Sequence, residues 1–509
     1  MTLESVVPTA PTQRFSSPSG PIDRVSFFVE QRRNRRATWR MTVACGIALL
    51  LVGIPLSLVL SPLLYAVVFV LLNTVHLLFP IPEALAALQT VGNLAFTVFG
   101  YLAGDAEFQV SLSWIGVGVA VWLIPGILAI LFIWFGVYTL FKHVGVGSVI
   151  ISVGAREPRR DDLEEQQLCN VVEEMALAAG VPPLRVVLLD SPIANAAAIG
   201  TTPKDATIII SRCLLDEWDR AQTQGIIGHL IGSIGNGDLR IAFLMSSILL
   251  TFGTLVALLR APFGPHGRAA LFKFVRLGLK GWKKEVGATA ETELLQMLIA
   301  EGLEFEGPDD LDALSQKQLS VIVAPFIFAN IAVRWTLFIL VPGLINPVLA
   351  LLWRTRRYLA DSTAVQLTRN PDGVARALLA MRGELIPGSQ GVAHLFVTGP
   401  AGAESISEIF HWEGIGFHPS CARRLRRLRV LGATVTAENA LTPSALPQRS
   451  VLTYALEILV AVLLPIAAIA CLAGMVLFVF VSLFFMGIFL GALHGLFALL
   501  ALLKGWALA

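Results

Sequence analysis

Long stretches without a formal charge alternate with polar ones along this chain. No Asp, Glu, Lys or Arg occurs from Met41 to Phe79. A spanning helix takes about 20 apolar residues, so this run is too long for one simple span. Pro55 and Pro62 inside it predict a broken helix, or one span followed by a re-entrant or interfacial piece. A second uncharged run ends at IWFGVYTLF, just before Lys142. A third covers Ile241 to Leu259, and a fourth, from about Leu319 to Trp353, contains Arg334 and three prolines. The last, Ile458 to Leu503, is long enough for a hairpin turning near Gly474 or Gly487.

Between these runs lie two polar stretches, Gly145 to Arg240 and Arg354 to Ser450, that look like halves of one domain. In the first, Leu168, Val171, Val172 and Met175 fall at helical spacing, predicting a helix from about Asp161 to Ala179 that Gly180 and Pro182 stop. LRVVLLD and ATIIIS are β-branched, bounded by Pro, Asp and Gly, and predict short strands. Asp219 with Gln222 offers a capping box for a helix running into GIIGHLIGSIGNGDLR, Gly225 to Arg240. The second stretch is mostly helical in pattern. Between the third and fourth runs, Lys273, Arg276, Lys280, Lys283 and Lys284 share one arc opposite Leu271, Phe274, Val275, Leu279 and Trp282. That pattern predicts a helix in the headgroup region, and an acidic stretch, EGLEFEGPDDLD, follows it.

Composition sharpens this picture. Only 15% of the 509 residues are charged and 55% are hydrophobic, whereas a soluble domain carries about 25% charged residues. A polytopic α-helical membrane protein is expected. The net charge of +2 gives no basic field for nucleic acid. Five cysteines stand apart, with no C-x-x-C, and imply neither disulfides nor metal ligands. Arg32, Arg33, Arg35, Arg36 and Arg40 directly precede the first apolar run, so the positive-inside rule keeps that end cytoplasmic. The basic run RRLRRLR favours the same side for the second polar half. If both segments flanking the basic insert span, however, the insert falls outside, against that rule.

The helix at Gly225 to Arg240 carries the candidate chemistry. GHLIGSIGNGDLR resembles the AHELGHIKNGD signature of the membrane zinc metallopeptidases that include the HtpX-like heat-shock peptidases and the CAAX prenyl proteases. Four more landmarks follow the same order. EMALAAGVPPLRVVLLD is similar to ELAIAAG, and NAAAIG, from Asn195, to NAFATG. RRYLADSTAVQLTRNPDGVARAL, Arg356 to Leu378, is similar to the third-ligand segment REYEADRLGAELTGNPEGLASAL. FHPSCARRLRRL, with His418, is similar to THPPTEERIRRL. Together they cover about Glu174 to Leu428.

The resemblance implies a zincin-like α+β domain on the cytoplasmic side, split between membrane segments. It divides the chain into a basic segment at 1–40, a transmembrane region at 41–141 and a first metallopeptidase-like half at 142–240. A transmembrane pair with its insert follows at 241–353, then the second half at 354–450 and a C-terminal hairpin at 451–509. It also implies zinc held by two histidines and a glutamate, with a second glutamate activating water.

Residue by residue, most of that set is replaced. His229 keeps the first ligand position, Leu230 stands for the catalytic Glu, Ser233 for the second His and Arg357 for the ligand Glu. No carboxylate is left to take a proton from water, and a fixed cation stands where a carboxylate should face zinc. The expectation is no active catalytic residue and no metal. Asp361 matches the carboxylate that orients a ligand His, or else caps or pairs locally. Asn195 matches a position that binds substrate backbone in a groove, or only shapes a turn; His418 matches a histidine near the cleft, or only packs beside Pro419. A triad of Ser233, His229 and Asp361 lacks a nucleophile turn and an oxyanion hole. Arg357 and Asp361, at i and i+4, are expected to pair, with His229 facing them.

The resulting reading is a multi-pass cytoplasmic-membrane pseudoprotease. Its expected partners are membrane lipid and a protein or peptide client, with a role in membrane-protein quality control. The alternative is an active zinc endopeptidase whose ligands have moved.

Overall fold

The computed structural model of the chain describes residues 25–102, 104, 111–260, 268–269, 271–273, 275–276, 337, 341–381, 386–387, 392–399, 417–435, 491–492 and 494–503. Lys280, Lys283 and Lys284 of the insert's basic arc, most of the fourth apolar run and the turn of the C-terminal hairpin lie outside the described residues.

The first apolar run is not broken. Helix α1 continues from Phe27 to Leu78 through both Pro55 and Pro62. Each proline removes one intrahelical donor, but a neighbouring helix supports those turns. α3 (Leu112–Ser152) packs against them so closely that a side chain at Gly126 would overlap the Ser57 carbonyl, and the Gly126 N–H donates to Ser61 Oγ at 2.8 Å. α2 (Pro82–Leu102) also meets α1, where Tyr65 donates to the Leu88 carbonyl at 3.1 Å.

With 52 residues, α1 is about 78 Å long at 1.5 Å per residue, far beyond the ~30 Å of a bilayer core. Among the described residues, α1, α3 and α7 (Asp238–Arg260) are long and apolar enough to cross a membrane.

The predicted local elements of the first polar half form. α4 covers Leu163–Ala179, with Asp162 capping its first turn and Gly180 left-handed at its end. β2 (Arg185–Leu189) and β4 (Thr207–Ser211) run parallel at the centre of a four-stranded sheet. β1 (Ala155–Arg156) and β3 (Ala196–Ile199) flank them antiparallel, in the order β1-β2-β4-β3. After the short α5 (Cys213–Glu217), the capping box of Asp219 and Gln222 opens α6 (Arg220–Gly235).

Both faces of the sheet are covered. Val186, Leu188, Ile208 and Ile210 join a core with α4, α6, α8 (Asn346–Thr368), α9 (Pro371–Ala380) and α10 (Cys421–Val430). Val187, Leu189 and Ile209 join a second core built from α1, α3, α7 and the residues leading into α8. Strands buried on both faces read as near-continuous apolar runs, as β2 and β4 do.

Every residue of α6 from Gly225 to Ile234 is buried. Close approach is possible because a Cβ at Gly225 would meet the Gly373 and Val374 backbone at 2.8 Å, and one at Gly232 would meet Thr363 Cβ at 2.9 Å. α8 and α9 thus lie directly on α6. Gly225→Ala should therefore destabilise the protein by about 1–3 kcal/mol through forced backbone movement. Gly235→Ala should be neutral or slightly stabilising, since its nearest neighbour is 3.9 Å away. Thermal unfolding of the two variants in detergent checks the contrast.

Candidate functional site

α6, α8 and α10 converge on a buried polar cluster where the zinc-helix landmark and the third-ligand landmark meet. His229, on α6, is fully buried, and Asp361, on α8, is 3% exposed. Their contact runs from His229 Nδ1 to Asp361 Oδ1 at 2.8 Å. An ionised carboxylate can only accept, so Nδ1 carries the proton and Nε2 presents its lone pair. Burial pushes His229 down to about 4, against the opposing pull of Asp361. Asp361 lies below its ordinary range: the cost of burial is outweighed by the Arg424 charge and by hydrogen bonds from His229 and Arg424.

Arg357 does not pair with Asp361 as its i, i+4 spacing predicts. Arg424 of α10 takes that place, donating from Nε to Oδ2 at 2.9 Å and from Nη2 to Oδ1 at 2.6 Å. A bidentate guanidinium saturates the carboxylate edge, which leaves Arg357 to point elsewhere. The signal for Arg424 lay in FHPSCARRLRRL, whose eighth residue is an arginine, as in THPPTEERIRRL. Spacing within one helix could not reveal a partner 63 positions away.

The Arg357 guanidinium instead lies beside His229, at the position that the resemblance gives to the third ligand. Its Nη1 is 3.5 Å from His229 Nε2, and the two N–H groups of its Nη2 are shared among the carbonyls of His394 (2.9 Å), Leu395 (2.7 Å) and Phe396. The Trp353 ring lies 4.8 Å from its centre, a cation–π contact. Burial, and then the Arg424 charge, push Arg357 down to about 9, so it remains a cation at neutral pH.

Ser233 is engaged elsewhere. Its hydroxyl donates to Asp238 Oδ2 at 2.7 Å, and Asp238 is paired with Arg356. It makes no bond to His229 that would form a triad. Leu230 is fully buried in the apolar core. One imidazole facing a guanidinium, with a leucine and a carboxylate-bound serine at the other positions, does not fit the N, S and O donors of tetrahedral zinc. Among the described residues, no three of His, Cys, Asp and Glu are grouped to hold another metal.

Asn195 and His418 grip one segment of this same chain. Asn195 donates from Nδ2 to the Thr398 carbonyl at 2.7 Å, and its Oδ1 accepts from the Thr398 N–H at 3.3 Å. Val397 donates to the Ala196 carbonyl at 2.7 Å, and Phe396 bridges Ala197 antiparallel, on the outer edge of β3. His418 Nε2 reaches the Ala393 carbonyl at 3.1 Å. The groove position expected to hold a substrate backbone is filled by residues 396–398. The AAAI strand carries a single β-branched residue, Ile199, and nothing local marked the segment that pairs with it.

Two outcomes follow from this cluster. Asp361→Ala strands the buried Arg424 and should cost several kcal/mol, more than His229→Ala, which leaves the Asp361–Arg424 pair in place; comparative thermal unfolding in detergent measures the difference. The second concerns pH. His229 and His394 are each pushed down to about 4, and His418 is also lowered, all mainly by burial. A depressed folded value means the unfolded chain binds more protons, so this contribution is complete above the unfolded value and is lost as pH falls toward 4. Stability should drop by about 1 kcal/mol per pH unit per histidine between pH 6.5 and 4. Unfolding midpoints across that range give the slope, and His418→Asn should flatten it.

With this geometry in view, residues 162–303 match the profile of Peptidase family M48. The chain is 27% identical over 285 residues to a protein named Protease HtpX homolog from Dictyoglomus turgidum, covering 55% of this chain and 73% of that one. It is 26% identical over 340 residues to a Protease HtpX homolog from Streptococcus thermophilus, covering 66% of this chain and 95% of the relative. The helix carrying His229 lies inside the matched residues, and the chain is similar to HtpX-like members of Peptidase family M48.

Proposed function

We propose that this protein is a pseudoprotease whose peptidase-like domain faces the cytoplasm and which holds or regulates membrane proteins or proteases in quality control. The observation that carries the reading is Arg357. It replaces the ligand glutamate, faces the remaining imidazole at 3.5 Å and fixes three carbonyls of the 394–396 segment. A bound zinc would meet an unscreened cation there, without the carboxylate that neutralises its charge. Leu230 offers no base for water. With residues 396–398 on the β3 edge, clients are recognised on surfaces other than that edge. The basic residues before the first span support the cytoplasmic side.

Purified protein should hold no stoichiometric zinc and cleave neither casein nor a membrane substrate. Elemental analysis and a peptidase assay before and after chelation test both points together. Near-stoichiometric zinc that leaves with an activity on chelation would overturn the reading and support relocated ligands.

A further inference from the structure

We propose that the outward face of the first turns of α1 binds the headgroups of anionic phospholipids. Arg32, Arg35, Arg36 and Arg40, with Phe28 and Trp39, line one open concave surface. All six are exposed, and among the described residues none of the four arginines forms an ion pair with a carboxylate. At 100° per residue these side chains share an arc. Val43, Ile47, Leu50 and Ile54, exposed apolar residues of the first turns of the span, continue the same arc. Because α1 is unbroken from Phe27 to Leu78, the direction that faces lipid in the span also faces outward at the arginines. The basic face therefore overhangs the lipid next to the protein and not the protein itself.

The opposite face confirms this orientation. Gln31 donates to Gln366 at 2.7 Å, while Arg427 donates to Glu30 at 2.9 Å and to Asn34 at 3.0 Å, so α1 is pinned to α8 and α10. The buried Cys45, Ala48, Val52 and Leu56 extend that pinned side into the span. The helix cannot roll its arginines inward without breaking these contacts. Arg40 stands about 4.5 Å along the axis from Val43 and Arg36 about 10 Å, heights from which a long guanidinium side chain can snorkel into the headgroup layer. Guanidinium groups bind phosphate through paired N–H bonds, and Trp39 suits the interface. The proposal goes beyond the pseudoprotease reading and stands whether or not the old site binds zinc.

The test uses the full chain in nanodiscs that mix phosphatidylcholine with phosphatidylglycerol, one or the other brominated near the top of its acyl chains. Quenching that belongs to Trp39 is isolated by difference from Trp39→Phe. Brominated phosphatidylglycerol should quench Trp39 at least about twofold more than brominated phosphatidylcholine, as local enrichment of anionic lipid requires. The triple variant R32Q/R35Q/R36Q should bring the ratio to about one, while the matching lysine triple should keep most of it, since attraction to a charged layer survives loss of the guanidinium fork. Equal quenching by the two lipids, or a ratio unmoved by the glutamine triple, overturns the proposal. So does quenching by neither lipid, which would mean that a protein segment such as residues 1–24, or a second copy, covers the face.

Discussion

Asp361 is the point on which the polar interior depends. One buried carboxylate accepts from His229 on α6 and from Arg424 on α10 while itself belonging to α8. One anion thus ties three helices together, including α6 and α8, on which the resemblance places the zinc ligands. Burying charges is expensive, and the arrangement is tolerable only because every Asp361 oxygen is engaged and Arg424 is held bidentately. The same carboxylate sets the imidazole tautomer, which turns the His229 Nε2 lone pair toward Arg357.

Arg357 takes its place as a consequence. With Asp361 saturated and Asp238 paired with Arg356, no carboxylate among the described residues pairs with its charge. Carbonyl dipoles and an indole face take over, and those carbonyls belong to residues 394–396. The ordering of that segment on the β3 edge is thus linked to the residue that replaced the ligand. His418 and Asn195 then hold its two ends. What reads as a set of separate losses in the sequence is one connected rearrangement in space.

The helix α1 joins this domain to the bilayer. It is anchored on α8 beside the polar cluster, through Gln31 with Gln366, and on α10 through Arg427, whose guanidinium also lies 3.7 Å over the Tyr358 ring. Since the sheet is buried on its second face by a core shared with α1, α3 and α7, the peptidase-like fold is not a freestanding body on a tether. The same helix that is long and apolar enough to cross a membrane shares a hydrophobic core with the strands.

By itself the sequence determined the elements that depend on near neighbours. The cap at Asp162 and stop at Gly180, the capping box at Asp219, and the β-branched strands β2 and β4 are all set by contacts within a few residues. The pairing of His229 with Asp361 was also legible, because the landmarks in order set them opposite each other, and they bond at 2.8 Å. Only the tertiary structure decided which arginine pairs with Asp361, since a bidentate partner from α10 displaces a helical neighbour whose spacing alone had favoured it. It also decided that α1 passes through two prolines, because α3 supports the weakened turns. And it made AAAI a strand, because alanine carries no strand preference of its own and pairs there only where β4 on one side and Phe396 on the other supply the hydrogen bonds.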